Sequence, residues 1–148
     1  MLQYTQLLRA AVTALLMQAT VEGAAVAGPL EDARLRADQG DAMAQIDLGH
    51  RYKWGVGVPA DYAEAVKWYR RAADQGSMAA QWLLAQMYED GSGVEQDYVQ
   101  AHMWFNLSAA QGFEGAVAAR AELERKMTRA QIAEAQKLAR GRKPKSER

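Results

Sequence analysis

Apolar residues between positions 41 and 76 recur with the spacing of two successive helix faces. Ala44, Leu48 and Tyr52 lie four residues apart, which places them on one side of an α-helix. A second amphipathic run begins at Asp61, an aspartate suited to cap a helix. The pattern predicts two amphipathic helices joined by a turn that contains glycine.

The same pattern returns at a fixed interval. The recurring positions are Gly55 with Gly91, Gly57 with Gly93, Asp61 with Asp97, Trp68 with Trp104, and Gly76 with Gly112, each offset by 36 residues. We expect the glycines to turn or end the chain and the aspartates to cap helices. Tyr62 and Trp68 are expected to face the core. A fixed period in this range is the signature of stacked helical repeats, so the sequence predicts an all-α solenoid.

The end of the chain departs from this plan because no Gly-x-Gly-Val turn follows the third first-helix pattern. Thr128 and Gln131 form a capping box five residues earlier than the period requires. We expect a last helix that ends at Arg140, with Gly141 as its stop. The predicted organisation is a signal peptide at 1–27, a capping helix at 28–40, repeats at 41–76 and 77–112, a shortened repeat at 113–140, and a basic disordered tail at 141–148.

Residues 1–27 differ in composition from the rest of the chain. Arg9 is the only charged residue before Glu22, and a short apolar run ends in the small-x-small pattern of Ala25–Ala27. The run is shorter than the ~20 apolar residues of a membrane span. We therefore expect a signal peptide cleaved after Ala27 and a periplasmic or secreted protein. The alternative is an amphipathic N-terminal helix on a cytoplasmic protein.

The repeated residues resemble the Sel1-like repeat, a relative of the tetratricopeptide repeat. In the first copy the matching residues are Ala44, Leu48, Gly49, Tyr52, Gly55, Gly57, Val58, Asp61, Ala65, Trp68, Ala72, Ala73 and Gly76. In the second they are Ala80, Leu84, Tyr88, Gly91, Gly93, Val94, Asp97, Ala101, Trp104, Ala109 and Gly112, with Ala85 and Ser108 as small-for-small departures. The resemblance implies a right-handed α-solenoid of about seven helices in antiparallel pairs. It also implies an adaptor that binds proteins or peptides without catalysis.

Candidate chemistry is sparse. The chain has no cysteine, and neither of its two histidines, His50 and His102, has the spacing of a metal site. Asp61 and Asp97 could pass for a carboxylate pair, but their equivalent places at helix starts favour capping. Formal net charge is zero, which does not indicate a nucleic-acid partner. We expect no enzyme activity and no cofactor; the alternative is a hydrolase or binding protein acting on cell-wall polysaccharide.

In related helical repeats the first helix of each pair lines a groove, so we expect a protein or peptide partner to bind there. The predicted groove consists of Ile46, His50, Lys53, Trp82, Gln86, Glu89, Ala118, Glu122 and Arg125. Trp82 is its one large aromatic side chain, which is typical of a binding hot spot with a polar rim. The alternative is that Trp82 packs against an adjacent helix.

The C-terminal residues 137–148 carry six basic side chains and one acidic side chain. Such a segment either docks on an anionic surface, such as lipid headgroups or acidic glycans, or keeps the chain soluble. We expect the second role, with membrane contact limited to the signal peptide or weakly to this tail. The sequence leaves the identity of the partner and the oligomeric state open.

Overall fold

The computed structural model describes residues 28–142, which form seven α-helices and no strand. The helices are α1 (Pro29–Asp38), α2 (Ala42–Trp54), α3 (Tyr62–Asp74), α4 (Met78–Asp90), α5 (Tyr98–Ala110), α6 (Glu114–Glu124) and α7 (Arg129–Arg142). The all-α prediction is confirmed in this range, where no helix is long and apolar enough to cross a membrane. The predicted signal peptide and the last six tail residues lie outside the described residues.

The chain divides into two compact units, with the boundary after Asp32. Of the first unit, the structure describes Gly28–Asp32, where the Asp32 amide donates a hydrogen bond to the Gly28 carbonyl at 3.0 Å. The second unit starts at Ala33 and contains the rest of α1, all later helices and the whole predicted groove.

Helix pairs build the second unit. α2 packs on α3 and α4 packs on α5, while contacts between α3 and α4 join the first pair to the second. Burying a Leu or Phe side chain contributes about 1.5–3 kcal/mol, so large apolar side chains between these helices stabilise the stack. The largest buried apolar side chains are Leu48, Tyr69, Leu84, Met87, Met103, Trp104, Phe105 and Leu123.

The last two helices do not repeat the helix pair. α6 and α7 each pack mainly against α5, and α7 contributes the fully buried Ala135 and Ala139. The predicted capping box forms at its start: the Thr128 amide donates to Gln131 Oε1 at 2.8 Å, and the Gln131 amide donates to Thr128 Oγ1 at 3.2 Å. Because the long glycine turn is missing, α7 begins early and closes the second pair instead of forming a third.

Equivalent residues perform equivalent local tasks in the two full repeats. Asp61 accepts a hydrogen bond from the Glu64 amide, and Asp97 accepts one from the Gln100 amide, each at 3.0 Å. The Glu64 carboxylate itself pairs with Lys67, so no reciprocal bond completes a capping box there. Positive φ occurs at each of the predicted turn and end glycines, Gly55, Gly57, Gly76, Gly91, Gly93 and Gly112.

The second glycine turn packs closely against the start of α3. Gly93 has a φ of 69°. A Cβ atom at this position would collide with the carbonyl group of Tyr62 and lie 2.6 Å from the amide nitrogen of Ala63. Only glycine combines this backbone conformation with so close an approach. The turn therefore stacks the repeats as well as reversing the chain.

Two aromatic side chains expected in the core are less buried than predicted. Tyr62 is 47% exposed, which contradicts its expected burial. Trp68 is only half-buried, whereas its repeat equivalent Trp104 is 2% exposed. The difference follows from coverage by a neighbouring helix, because α7 packs on α5 and brings Arg142 over Trp104, whereas the arginine over Trp68 is Arg71 of the same helix. The prediction for Trp68 therefore holds only in part.

The last helix is longer than expected. α7 continues through Gly141 to Arg142, so the predicted end at Arg140 is wrong. A glycine ends a helix when it adopts the left-handed conformation, and Gly141 is not among the positive-φ glycines. Arg142 consequently belongs to the folded unit and not to the tail.

Candidate functional site

The first-repeat part of the predicted groove is largely covered by the protein itself. Ile46 is only 9% exposed and belongs to the core, so it does not offer the contact surface that was expected. His50 is half-buried, with its ring edge-on to Tyr69 at 5.6 Å between ring centres. Burial, reinforced by the charge of Lys53, lowers the pKa of His50, which is therefore neutral at pH 7. Lys53 holds its ammonium 5.1 Å from the ring centre of Trp54.

The second-repeat part joins two repeats. Trp82 is half-buried, and its ring centre lies 5.4 Å from that of Phe113, which directly precedes α6. Its buried indole N–H has no hydrogen-bond acceptor among the described residues. This contact is the one expected from the alternative that Trp82 packs against an adjacent helix. Gln86 is half-buried, and the carboxylate of the half-buried Glu89 lies 3.1 Å from Lys126 Nζ, which raises the pKa of Lys126.

The third-repeat part is open to solvent. Ala118, Glu122 and Arg125 are all exposed, and the last two form an ion pair at 3.0 Å. Exposed pairs of this kind contribute only about 0–1 kcal/mol, so both side chains are free to exchange partners. Exposure thus rises along the groove from the first repeat to the third. The side chains available to a partner are concentrated at its C-terminal end.

A ladder of glutamines that runs through the repeats was missed in the sequence. This glutamine ladder consists of Gln45, Gln75, Gln81 and Gln111, with Gln75 donating from Nε2 to Gln45 Oε1 at 2.8 Å and Gln111 to Gln81 Oε1 at 2.9 Å. The two buried members also donate to carbonyls of the preceding helix, Gln45 to Ala37 at 2.9 Å and Gln81 to Ala73 at 3.3 Å. The 36-residue offset between equivalent glutamines was the available signal.

In the first repeat an arginine covers the tryptophan of α3. The Arg71 guanidinium carbon lies 4.6 Å from the ring centre of Trp68, one turn earlier on the same helix. The same guanidinium lies 3.3 Å from Asp38 Oδ1 at the end of α1. Stacking and ion pairing together link α3 to α1.

The second repeat rebuilds this arrangement with an arginine from elsewhere. The position equivalent to Arg71 is Leu107, which has no guanidinium to place over the tryptophan. Arg142 of α7 takes over: its guanidinium carbon lies 4.6 Å from the Trp104 ring centre, and Nη1 lies 3.1 Å from Asp74 Oδ1. The repeat spacing could not predict this contact, because Arg142 lies outside the repeats in the segment predicted to be a disordered tail.

The interface between α5 and α6 is polar, whereas the equivalent interface one repeat earlier, between α3 and α4, is mainly apolar. His102, which is fully buried, has Nε2 2.7 Å from Glu124 Oε1, while its Nδ1 has no partner among the described residues. Arg120 donates from Nη1 to Asn106 Oδ1 at 2.6 Å and holds Nε 3.8 Å from Glu124. The residues one period earlier are Val66 for His102, Leu84 for Arg120, Tyr88 for Glu124 and Arg70 for Asn106.

The described side chains offer contacts for recognition. Residues 28–142 contain no group of three or more side chains placed to hold a metal ion. His102 and Glu124 form a histidine–carboxylate pair, but it lies at a helix interface where the imidazole is fully buried. A substrate cannot reach that imidazole without separating α5 from α6. What the surface offers is a graded set of charged, amide and aromatic side chains.

Comparison with known proteins connects the chain to one family. The Sel1 repeat family matches residues 42–77 and 79–113. A crystal structure of a Sel1 repeat protein from Oxalobacter formigenes is 40% identical in sequence, with a TM-score of 0.60. That similarity covers 61% of this chain and 68% of the Oxalobacter chain.

Two further relatives come from Escherichia coli. The crystal structure of a protective antigen present in uropathogenic strains, which displays an SLR fold, is 37% identical with a TM-score of 0.74, over 76% of this chain and 24% of that one. The secretory immunoglobulin A-binding protein EsiB is 42% identical over 43 residues, which are 29% of this chain and 9% of EsiB. This chain therefore matches a quarter or less of the length of these two relatives.

Proposed function

This chain belongs to the Sel1 repeat family, and we propose that it is an exported interaction module that binds a polypeptide partner along the first helices of its repeats. Sel1 repeat proteins are generally protein-interaction modules without catalytic activity. The predicted groove supplies the contact surface in this proposal. The contacts are concentrated on α4 and α6, because Ile46 on α2 is buried.

One observation carries this proposal: groove side chains change from repeat to repeat where structural side chains recur. Gly57 and Gly93 are examples of positions that stay the same at the 36-residue offset. The two variable rows are His50, Gln86 and Glu122, and Lys53, Glu89 and Arg125. All six side chains are at least partly exposed, and charge alternates along the second row, from the cation Lys53 through the anion Glu89 to the cation Arg125. A patterned charge of this kind selects a partner of complementary pattern.

The relatives support the class of partner but not its identity. EsiB is named for binding secretory immunoglobulin A, a protein ligand. The present chain matches 9% of EsiB, so the immunoglobulin itself is not carried over. We take from this relative only a polypeptide partner.

Export to the cell envelope rests on the composition of residues 1–27. Residues 1–30 fused to a reporter that is active only after export should produce activity. Deleting residues 10–21, the apolar run, is the matched control and should abolish it. Reporter activity confined to the cytoplasm with the intact segment would remove the localisation from the proposal.

The groove is tested with charge reversals at exposed positions, where folding is not at risk. A partner is first isolated by affinity capture and its binding to the purified chain is measured by calorimetry. Glu122→Lys and Arg125→Glu should each weaken binding about tenfold, which is about 1.4 kcal/mol. Lys137→Glu, an equally exposed charge reversal on α7, should leave binding unchanged. Equal effects of all three reversals would show that the groove is not the binding surface.

Trp82 needs two measurements because it packs on Phe113 as well as facing the groove. Trp82→Ala is compared with Trp54→Ala, which truncates a tryptophan that is 65% exposed. Weaker partner binding with an unchanged melting temperature supports a hot spot at Trp82. A lower melting temperature with unchanged binding assigns Trp82 to packing and removes it from the site.

A further inference from the structure

A cleft of about 510 Å³ lies beside the connection between α3 and α4, away from the predicted groove. This turn-side cleft is lined by Ala73, Asp74, Gln75, Gly76, Gln81, Trp104, Leu107, Ala110, Gln111 and Arg142. Its volume falls within the ~300–1,000 Å³ of small-ligand sites. None of its lining residues belongs to the groove, so it is a separate feature of the surface.

The cleft arises where the second repeat departs from the first. Arg71 lies over its tryptophan from the same helix, but its repeat equivalent, Leu107, is shorter and uncharged. The guanidinium over Trp104 comes instead from Arg142, at the end of α7. Because the covering group enters from a neighbouring helix, space remains between it and Leu107, which also lines the cleft.

The charges of the cleft cancel. Asp74 and Arg142 are its only charged lining residues, and they pair with each other at 3.1 Å. A carboxylate ligand would face Asp74, and a cationic ligand would face Arg142. A neutral ligand meets neither penalty. The pair is about half-exposed, so it contributes little to stability and its side chains can shift when a ligand enters.

The remaining polar groups offer both hydrogen-bond donors and acceptors. Gln75 and Gln111 use their Nε2 atoms within the glutamine ladder, while none of the described residues donates a hydrogen bond to their Oε1 atoms. The Trp104 indole N–H is buried without an acceptor in the same part of the chain. Arg142 has further N–H groups beyond the one that reaches Asp74. Peptide main chain supplies N–H groups for the carboxamide oxygens and carbonyls for the further N–H groups of Arg142.

We propose that the turn-side cleft binds a short, uncharged stretch of polypeptide main chain, as a second contact site beyond the groove. This inference takes only one element from the proposed function, namely that the partner is a polypeptide. A stacked saccharide is the competing ligand, and it needs an open aromatic face. Trp104 is 2% exposed and lies under Arg142, so the cleft lacks such a face.

The test uses the indole N–H signals of the four tryptophans in the ¹⁵N-labelled chain. The probe is a blocked tetrapeptide of glycine, alanine and serine, acetylated and amidated so that it carries no charge. The Trp104 signal should shift and saturate with a Kd of about 1 mM, since few atoms make contact. The Trp54 signal, from an exposed ring outside the cleft, should not move.

Filling the cleft supplies the matched variants. Ala110→Phe places a ring in the cleft from an exposed position and should weaken the peptide at least about tenfold. Ala130→Phe, at an exposed alanine on α7 that does not line the cleft, should not. An unmoved Trp104 signal at about 10 mM peptide, or equal binding by both variants, would overturn the proposal. So would a shift caused by maltotriose but not by the peptide.

The groove variant Arg125→Glu separates this proposal from the proposed function. It should leave the tetrapeptide titration unchanged, because Arg125 does not line the cleft. A titration that fails in the wild-type chain while partner binding still depends on Arg125 overturns the cleft alone. A titration that is lost with Arg125→Glu would show that the peptide binds the groove instead.

Discussion

Arg142 Nη1 lies 3.1 Å from Asp74 Oδ1, joining residues 68 positions apart in the chain. The same guanidinium lies 4.6 Å from the ring centre of Trp104. The last residue of α7 therefore holds the end of α3 and the buried tryptophan of α5 together. In the first repeat Arg71 makes the corresponding contacts to Asp38 and Trp68 from within the repeat.

Replacing Arg142 should weaken the closure of the solenoid. Arg142→Ala removes a cation–π contact and a half-exposed ion pair, which together stabilise by about 1 kcal/mol. We expect the melting temperature to fall by about 3 °C in a thermal denaturation experiment. Arg140→Ala, at an exposed position in the same helical turn, is the control and should have no measurable effect. Equal melting temperatures for the two variants would contradict the role of Arg142.

The glutamine ladder should be sensitive at its buried members. Gln81→Leu removes the donor to the Ala73 carbonyl and the acceptor for Gln111, so two hydrogen bonds at a buried position are lost. We expect the free energy of unfolding to fall by about 1–3 kcal/mol, measured by urea denaturation. Gln86→Leu makes the same change at a half-buried groove position and should cost no more than about 0.5 kcal/mol. A similar loss in both variants would show that the ladder bonds are not the cause.

Removing one member of the polar interface between α5 and α6 should destabilise the fold, whereas replacing the whole interface with mainly apolar residues should not. Glu124→Ala leaves the buried imidazole of His102 and the guanidinium of Arg120 without their shared carboxylate, so stability should fall by about 1–3 kcal/mol. The replacement with the residues found one period earlier combines His102→Val, Asn106→Arg, Arg120→Leu and Glu124→Tyr. This variant should melt at or above the wild-type temperature, because apolar packing often equals a buried polar network. A fourfold variant less stable than Glu124→Ala would contradict this.

His50 should make stability depend on pH. Burial lowers its pKa below the ~6.5 of a free histidine, so the unfolded chain binds a proton in a range where the folded chain does not. Its contribution to stability is therefore complete above pH ~6.5 and decreases as the pH falls from there through the folded-state pKa. His50→Gln introduces the residue type found at the equivalent position of the second repeat, Gln86, and should flatten this part of the profile of stability against pH. Melting temperatures between about pH 7.5 and pH 5 measure the difference, and parallel curves would exclude His50 as its source.

Much of the fold could be predicted because its signals are local. A helix face, an aspartate cap and a glycine turn each depend on residues within one or two helical turns of each other. Thr128 and Gln131, for example, form their capping box from three residues of separation alone. The 36-residue period then assigned the same roles to the second copy.

The candidate site could be predicted only as rows of equivalent positions. Periodicity places Ile46, Trp82 and Ala118 in one row, yet Ile46 is core, Trp82 packs on Phe113 and Ala118 is exposed. The difference depends on which helix covers each position. That information lies in neighbouring repeats and not in the row itself.

The sequence by itself determined the helix pairs, their turns and their caps, because these follow from backbone geometry and short-range spacing. Only the tertiary structure decided that α7 packs on α5, that Arg142 replaces the missing partner of Trp104, and that a cleft remains beside Leu107. Contacts of this kind depend on the burial and direction of side chains far apart in the chain. A repeat pattern cannot encode them where one repeat differs from the next.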